Sequence, residues 1–193
     1  QLEANTYRDL ENYIRADGGN LNIAHAGLGS ASHLCGLMWQ SAINAKEAMT
    51  TIPFGGTAPA MNALVGGQVD MMFDTTVVAG PHITSGKVRA LAVSSAKRLD
   101  AMPTVPTVAE SGVPNFEVVS WQGIFVPAGV PKPIVDRLHT EIMKILQTPE
   151  MQDRLKSLGM QPSSMTPDQV AAFQKAEVEK WAQVIKSAGI KLE

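Results

Sequence analysis

The stretch from residue 18 to residue 86 carries only four charged side chains, although the chain of 193 residues has 16 basic and 18 acidic ones. Such charge-poor segments are typical of parallel β-strands that helices cover on both faces, and of loops that line a cleft. The first alternative accounts for most of this composition, and the second concerns only the loops. We therefore expect residues 18–86 to form the buried centre of an α/β domain.

Short apolar runs alternate with helical patterns along residues 6–94, and glycine pairs or prolines separate many of them. Strand–helix alternation with short connections indicates right-handed βαβ units on a parallel sheet. A first helix is predicted at 6–16. The four predicted strands are at 21–26, 48–53, 69–74 and 88–94.

The second half of the chain has a different pattern of predicted elements. Residues 105–111 are predicted as a short helix, and residues 116–127 as extended segments. Three amphipathic helices are then predicted at 131–147, 149–158 and 166–188. The last helix is predicted to bury Val170, Phe173, Val178, Trp181 and Ile185. These helices contribute no sheet, so they need a lobe or a partner to cover their apolar faces.

Composition excludes several classes of protein. A net charge of −2 and a pI near 6.1 argue against a nucleic-acid-binding protein that relies on bulk charge. The single cysteine, Cys35, excludes an internal disulfide framework and a cysteine-rich zinc site. The histidines at 25, 33 and 82 lack metal-ligand spacing. We therefore expect neither a metal nor a cofactor.

The sharpest local feature is a predicted strand–turn–helix unit at residues 23–37. Gly27 and Gly29 permit a tight turn, and Ser30 and Ser32 follow where the next helix begins. A helix N-terminus offers free N–H groups and partial positive charge, which suit a phosphate, sulfate or carboxylate. The alternative is ordinary helix capping. Ser32 stands where the dinucleotide pattern G-x-G-x-x-G requires its third glycine, so nucleotide binding is not expected.

Two further loops are predicted beside this one. Phe54-Gly55 and Asp74-Thr75 follow the next two predicted strands, and the carboxyl ends of parallel strands share one edge of a sheet. We therefore expect the three loops to converge. Asp74 could accept a hydrogen bond from a ligand amine or hydroxyl, or could cap its own helix.

A set of catalytic residues can be assembled from the sequence. Ser30 or Ser32 could combine with His33 or His82 and with Asp74. No G-x-S-x-G elbow is present, and Cys35 lies inside a predicted helix on an apolar face. An enzyme is therefore not expected, and a serine hydrolase is the weaker alternative.

Six segments in order resemble the signatures of one family, the tripartite tricarboxylate transporter substrate-binding proteins of the Bug type. The resemblance spans essentially the whole chain. The segments are 26–34 (AGLGSASHL), 52–60 (IPFGGTAPA), 66–74 (GGQVDMMFD), 86–93 (GKVRALAV), 103–112 (PTVPTVAESG) and 121–129 (WQGIFVPAG).

The resemblance implies a periplasmic receptor of the type II periplasmic-binding-protein fold, with two α/β lobes around a ligand cleft. Residues 1–122 would form the second lobe, and 123–193 the crossover and the C-terminal helices of the first. The ligand would be a small carboxylate, and the partners would be membrane transporter subunits rather than nucleic acid. The ligand-binding positions carried over are Gly27, Gly29, Ser30, Ala31, Ser32, His33, Phe54, Gly55, Asp74 and Thr75.

The chain departs from the family pattern in two respects. Phe54 and Gly55 stand where the family usually has a tyrosine and a basic residue, so the ligand's identity stays open. The family's first hundred or so mature residues have no counterpart here. We therefore expect a truncated receptor with weakened affinity and self-association through uncovered helices. The rival interpretation is the effector domain of a transcriptional regulator. It would need a DNA-binding helix-turn-helix upstream, which neither the chain nor the series of motifs supports.

Overall fold

The computed structural model describes residues 2, 4–17, 21–45 and 49–190. Helices and strands alternate through the first half, and three helices occupy the second, as predicted. In chain order the elements are α1 (Tyr7–Asp17), β1 (Leu21–His25), α2 (Ala31–Ala42), β2 (Met49–Pro53), α3 (Thr57–Val65), β3 (Met71–Met72), α4 (Thr76–Thr84), α5 (Lys132–Leu146), α6 (Pro149–Ser157) and α7 (Pro167–Ser187).

The three strands form a parallel sheet with β1 in the centre, in the order β2-β1-β3. β1 pairs with β2 along its whole length, from Leu21 opposite Met49 to His25 opposite Pro53. The pairing with β3 is short, and Asp70 extends it. The Asp70 carboxylate accepts from the backbone N–H of Asn22 at 2.8 Å, and the Asp70 N–H donates to the Asn22 carbonyl at 3.0 Å.

The sheet has a separate apolar core on each face, because successive strand residues point to opposite sides. Leu21 and Ile23 of β1 belong to the larger cluster, which contains residues of α1 and α2. Ala24 belongs to the smaller cluster, which contains residues of α3. The helices that follow β1 and β2 therefore cover opposite faces, as the charge-poor sequence predicts.

Trp39 is the centre of the larger core and is completely buried. Its indole N–H donates to the hydroxyl of Tyr7 at 2.7 Å, which satisfies the one polar atom of the ring. Tyr7 and Phe73 make T-shaped aromatic contacts with it at centroid distances of 6.3 and 5.6 Å. Tyr7 and Phe73 thus join α1 and the end of β3 to α2.

The predicted fourth strand at 88–94 is wrong. Among the described residues its only ladder contact is a single parallel bridge between Val93 and Thr107. The neighbouring Pro106 has no N–H to donate, so this pairing does not extend into a strand. The predicted helix at 105–111 is also wrong, because only a turn forms at residues 108–112. Thr107 and Glu110 exchange two side-chain-to-backbone hydrogen bonds at its start. Segment 116–127 has no regular secondary structure, and β3 is shorter than predicted.

The helices of the second half begin where the sequence predicts. Thr166 caps α7, and its partner Gln169 completes a reciprocal capping box. α7 packs against α2, and Trp181 contacts the larger core. The expectation that Val178 is buried is wrong, because it is 62% exposed.

Apolar side chains remain uncovered elsewhere in the second half. Ile134 and Ile145 of α5 are about half exposed, and Ile124 is 75% exposed. None of the helices in the described ranges is long and apolar enough to cross a lipid bilayer. The division at residues 122 and 123 into parts of two lobes stays a prediction.

Candidate functional site

The loops that follow the three strands leave the sheet along one edge, because the strands are parallel. The strand order places the loop after β1 between the other two. α2 covers one face, whereas α4 packs against α3 on the other. The chain continues from β1 to β2 on one side of β1 and then crosses to β3 on the other, so the order reverses at β1. We call the space between the carboxyl ends of β1 and β3 the crevice. In open α/β sheets this is where ligands bind.

Glycines shape the turn between β1 and α2. Gly27 has φ +116° and Gly29 has φ +73°, which side chains other than glycine rarely adopt. A Cβ atom on Gly27 would also lie 3.6 Å from the carbonyl oxygen of Phe54, at van der Waals distance from the loop after β2. The Phe54 N–H donates to the His25 carbonyl at 2.9 Å, so the first two loops lie side by side.

The hydroxyl groups of Ser30 and Ser32 hold the turn together. Ser30 is the N-cap of α2, where it accepts from the N–H of His33 at 3.3 Å and donates to the Gly27 carbonyl at 2.7 Å. Ser32 accepts from the N–H of Ala26 at 3.0 Å. The two hydroxyl oxygens are 3.1 Å apart. Since Ser30 donates its proton to Gly27, Ser32 is the donor in the hydrogen bond between the two hydroxyl groups.

Two histidines form a stacked pair beneath the turn. The rings of His25 and His33 lie 4.2 Å apart at an angle of 22°, and the residues are only 1% and 5% exposed. His33 Nδ1 accepts from the N–H of Gly29 at 3.1 Å, and His25 Nδ1 lies 2.9 Å from the Gly27 carbonyl. Burial lowers the pKa of both rings, and for His33 the neighbouring His25 lowers it further. Both rings support the loop through these hydrogen bonds with its backbone.

The first two amides of α2 remain free. The N–H groups of Ala31 and Ser32 donate to no acceptor within the described residues, as expected for the first turn of a helix. Gly29, Ser30 and His33 have amide partners inside the loop. The site available to an anion is therefore the pair of amides at 31 and 32.

The loop after β2 offers space rather than polar groups. A Cβ atom on Gly55 would meet nothing within 4 Å, so a larger side chain could stand there. The Phe54 side chain packs against the smaller core and is half-buried. This loop borders the turn after β1 but presents an apolar surface.

Asp74 is the acidic residue of the third loop. Its Oδ1 accepts from the N–H of Thr75 at 2.7 Å, and its Oδ2 is buried without a partner in the described part of the chain. Burial raises the pKa of the Asp74 carboxyl, which the Thr75 hydrogen bond only partly offsets. Thr75 is the N-cap of α4, but its side chain accepts no capping hydrogen bond. Asp74 therefore has one buried oxygen whose hydrogen-bonding capacity is unused among the described residues.

The described geometry lacks the contacts of a serine nucleophile. The Ser30 hydroxyl contacts the backbone of His33, whereas the Nδ1 atom of that ring binds Gly29. A serine hydrolase instead needs a hydroxyl hydrogen-bonded to an imidazole nitrogen. The sequence did not identify His25 as a support of the loop. His25 is a single histidine on a predicted strand, and no sequence pattern indicates that its ring stacks on His33.

Comparison with known proteins places the chain in a family. The sequence profile described as "Tripartite tricarboxylate transporter family receptor" matches residues 1–190. The chain belongs to this family. A curated relative from Pseudomonas sp., described as a UPF0065 protein in the tcbD-tcbE intergenic region, is 37% identical over 183 residues. That match covers 93% of this chain and 54% of the relative, so the chain spans about half the length of the curated relatives first matched.

Solved structures of the family share the fold. The periplasmic binding protein BugD is 41% identical, with a TM-score of 0.85, and the match covers 99% of this chain and 64% of BugD. MatC from Rhodopseudomonas palustris, solved with bound malate, is 36% identical with a TM-score of 0.81. That match covers 96% of this chain and 63% of MatC. The predicted family and the periplasmic-binding-protein fold class are thus confirmed.

Proposed function

We propose that the chain binds a small carboxylate as part of an extracytoplasmic receptor for a tripartite tricarboxylate-type transporter. The observation that carries this proposal is the free N-terminus of α2, where the amides of Ala31 and Ser32 have no protein acceptor. Two amides and a helix dipole suit the two oxygens of a carboxylate. The malate bound by the similar MatC supports this ligand class.

Asp74 is the selectivity group in this proposal. Its buried Oδ2 can accept a hydrogen bond only from a ligand that carries a donor, such as a hydroxyl or an ammonium group. A ligand carboxylate would contact α2 across the crevice from Asp74. The remaining positions carried over from the family (Gly27, Gly29, Ser30, His33, Phe54, Gly55 and Thr75) shape the loops around that ligand.

A proline at position 31 tests the role of the amides. Ala31 is the first residue of α2, where proline is tolerated and removes one N–H. Ser30 has φ −65° and ψ 158°, a conformation that suits a residue before proline. Ala31→Pro should therefore leave the fold intact and weaken carboxylate binding about tenfold or more, the value of one hydrogen bond to a charged group. Ala31→Ser keeps the N–H and is the matched control.

Isothermal titration calorimetry with malate, succinate, citrate, glutamate and benzoate measures this effect. We expect at least one of them to bind the wild-type chain and the Ala31→Ser variant. Absence of binding by all five at millimolar concentration would overturn the proposal. Equal affinity of the Ala31→Pro variant would instead place the carboxylate elsewhere.

The location and the partners follow from the family. A periplasmic location and contact with membrane transporter subunits are proposed here, and cell fractionation with crosslinking to those subunits tests both. We also propose that copies of this chain self-associate through the uncovered apolar residues of α5 and segment 123–131, among them Ile124, Ile134 and Ile145. Multi-angle light scattering checks this, and a stable monomer at high concentration would contradict it.

A further inference from the structure

The first residue of α4 is tied to the end of α6, although 82 residues separate them in the chain. The hydroxyl of Thr76 lies 3.1 Å from the carbonyl oxygen of Leu158 and 3.3 Å from that of Gly159, and donates to them. The body of α4 packs against α3. The contact with α6 is therefore made at the end of α4 that borders the crevice.

Gly159 fits this contact because it has no side chain. An ideal Cβ atom at this position would lie 2.8 Å from the hydroxyl oxygen of Thr76 and 2.9 Å from its Cβ. Both distances are shorter than real carbon contacts, and neither atom of Thr76 is the end of a flexible chain. Gly159 also has φ +66°, so any other residue would be strained there as well.

The contact lies next to the acidic loop of the site. Asp74 accepts from the N–H of Thr75, and Thr76 follows directly as the first residue of α4. The side chain of the N-cap Thr75 makes no capping hydrogen bond, so the helix start has no local brace of that kind. The carbonyl groups at the end of α6 supply a brace from another part of the chain.

We propose that Thr76 and Gly159 are positioning residues that hold the Asp74 loop against the end of α6. This inference rests on the proposed function only for its effect on ligand binding. Energetic coupling between two sites is reciprocal. A ligand that orders the Asp74 loop therefore also orders residues 158–160, and the helices of the second half respond to occupancy of the crevice.

Hydrogen–deuterium exchange of the whole chain tests the contact without any ligand. Gly159→Ala should speed exchange in the peptide covering residues 73–79 by about threefold to tenfold, the effect of losing a hydrogen bond or two at the helix start. Gly189→Ala is the matched control. Gly189 follows α7 with φ +67°, and nothing lies within 4 Å of its Cβ position. The control therefore reproduces the backbone strain without the collision.

Variants of Thr76 separate the hydrogen bond from the shape of the residue. Thr76→Val keeps the shape and removes the donor, so it should speed exchange in residues 73–79, whereas Thr76→Ser should restore slow exchange. Unchanged exchange at 73–79 in both Gly159→Ala and Thr76→Val would overturn the proposal. An equal change at 73–79 in Gly189→Ala would overturn it too.

The same variants then report on ligand binding. We expect Thr76→Val to weaken a hydroxylated acid such as malate several-fold more than succinate, which lacks the hydroxyl that Asp74 would accept from. Equal losses for the two acids would refute the positioning of Asp74. If no acid binds the wild-type chain, the proposed function fails, while the exchange data still decide whether Thr76 and Gly159 hold the loop.

Discussion

Replacing Asp74 by asparagine is expected to stabilise the ligand-free protein at neutral pH. Oδ1 of Asp74 accepts from Thr75, and an asparagine oxygen can keep this bond, but Oδ2 is buried without a partner among the described residues. Burial raises the pKa of this carboxyl, so its charged form is disfavoured in the folded protein. Asparagine removes that charge while retaining nearly the same shape.

The size of the effect follows from the exposure of the residue. A buried polar group without a partner costs about 1–3 kcal/mol. Asparagine leaves an amide group without a partner at the same place, so only the additional cost of the charge is recovered, and for a half-buried side chain we take this as about 1 kcal/mol. In a chain of this length this corresponds to a rise in Tm of about 2–4 °C.

The gain should depend on pH in one direction. A carboxyl whose pKa is raised by folding destabilises the native state only where it is deprotonated. The stabilisation by Asp74→Asn should therefore be greatest above the folded-state pKa. It should disappear as the pH falls toward the ordinary value of 3.8.

Differential scanning fluorimetry without ligand, at about pH 4 and about pH 7.5, measures this difference. Asp70→Asn is the control, because Oδ2 of Asp70 already accepts from the N–H of Asn22 and its replacement should bring no such gain. A lower Tm for Asp74→Asn at the higher pH would refute the reasoning. So would a shift that is equal at both pH values.

Three further perturbations address the loop and the core. Ser30→Ala removes the N-cap acceptor of α2 and should lower the free energy of unfolding in urea by about 1 kcal/mol; Ser41→Ala on the exposed side of the same helix should change it far less. Tyr7→Phe leaves the indole N–H of Trp39 without an acceptor and should lower the free energy of unfolding by about 1–3 kcal/mol, measured by tryptophan fluorescence. An equal loss in Tyr13→Phe, at a more exposed position, would contradict this. Because burial lowers the pKa of His25 and His33, the free energy of unfolding should fall as the pH drops below the ordinary histidine value of 6.5; His33→Asn should make the pH dependence shallower, and an unchanged slope would count against the stacked pair.

Local signals in the sequence were sufficient to predict the turn after β1. Gly27, Gly29 and Ser30 act within a few residues of one another, through backbone conformation and helix capping. The capping box of Thr166 and Gln169 was predictable for the same reason. Each of these interactions is complete within one turn of the chain, so a short pattern contains all of its partners.

The errors arose where a partner lies far away in sequence. Residues 88–94 have the composition of a strand, but a strand needs a neighbour that can exchange hydrogen bonds along its length. The prolines near Thr107 leave only the bridge to Val93. Val178 has helical spacing with half-buried residues such as Trp181, yet it is 62% exposed. The contact of Thr76 with Gly159 could not be predicted either. A glycine after a helix is common because it ends the helix, so Gly159 gave no indication of a distant partner.

The strand order indicates which of the three loops lies nearer to the proposed ligand, and the shared edge of the sheet alone could not indicate this. A common edge treats the three loops alike, but β1 lies between the other two, and neighbouring strands are about 4.8 Å apart. Asp74 and Phe54 therefore follow strands about 10 Å apart, on opposite sides of the turn at 27–33. The crevice lies on the Asp74 side of that turn, because the order β2-β1-β3 has its switch point between β1 and β3. A carboxylate on the α2 amides is thus expected to project its other end toward Asp74, so substitutions at Asp74 should alter selectivity more than substitutions at Phe54.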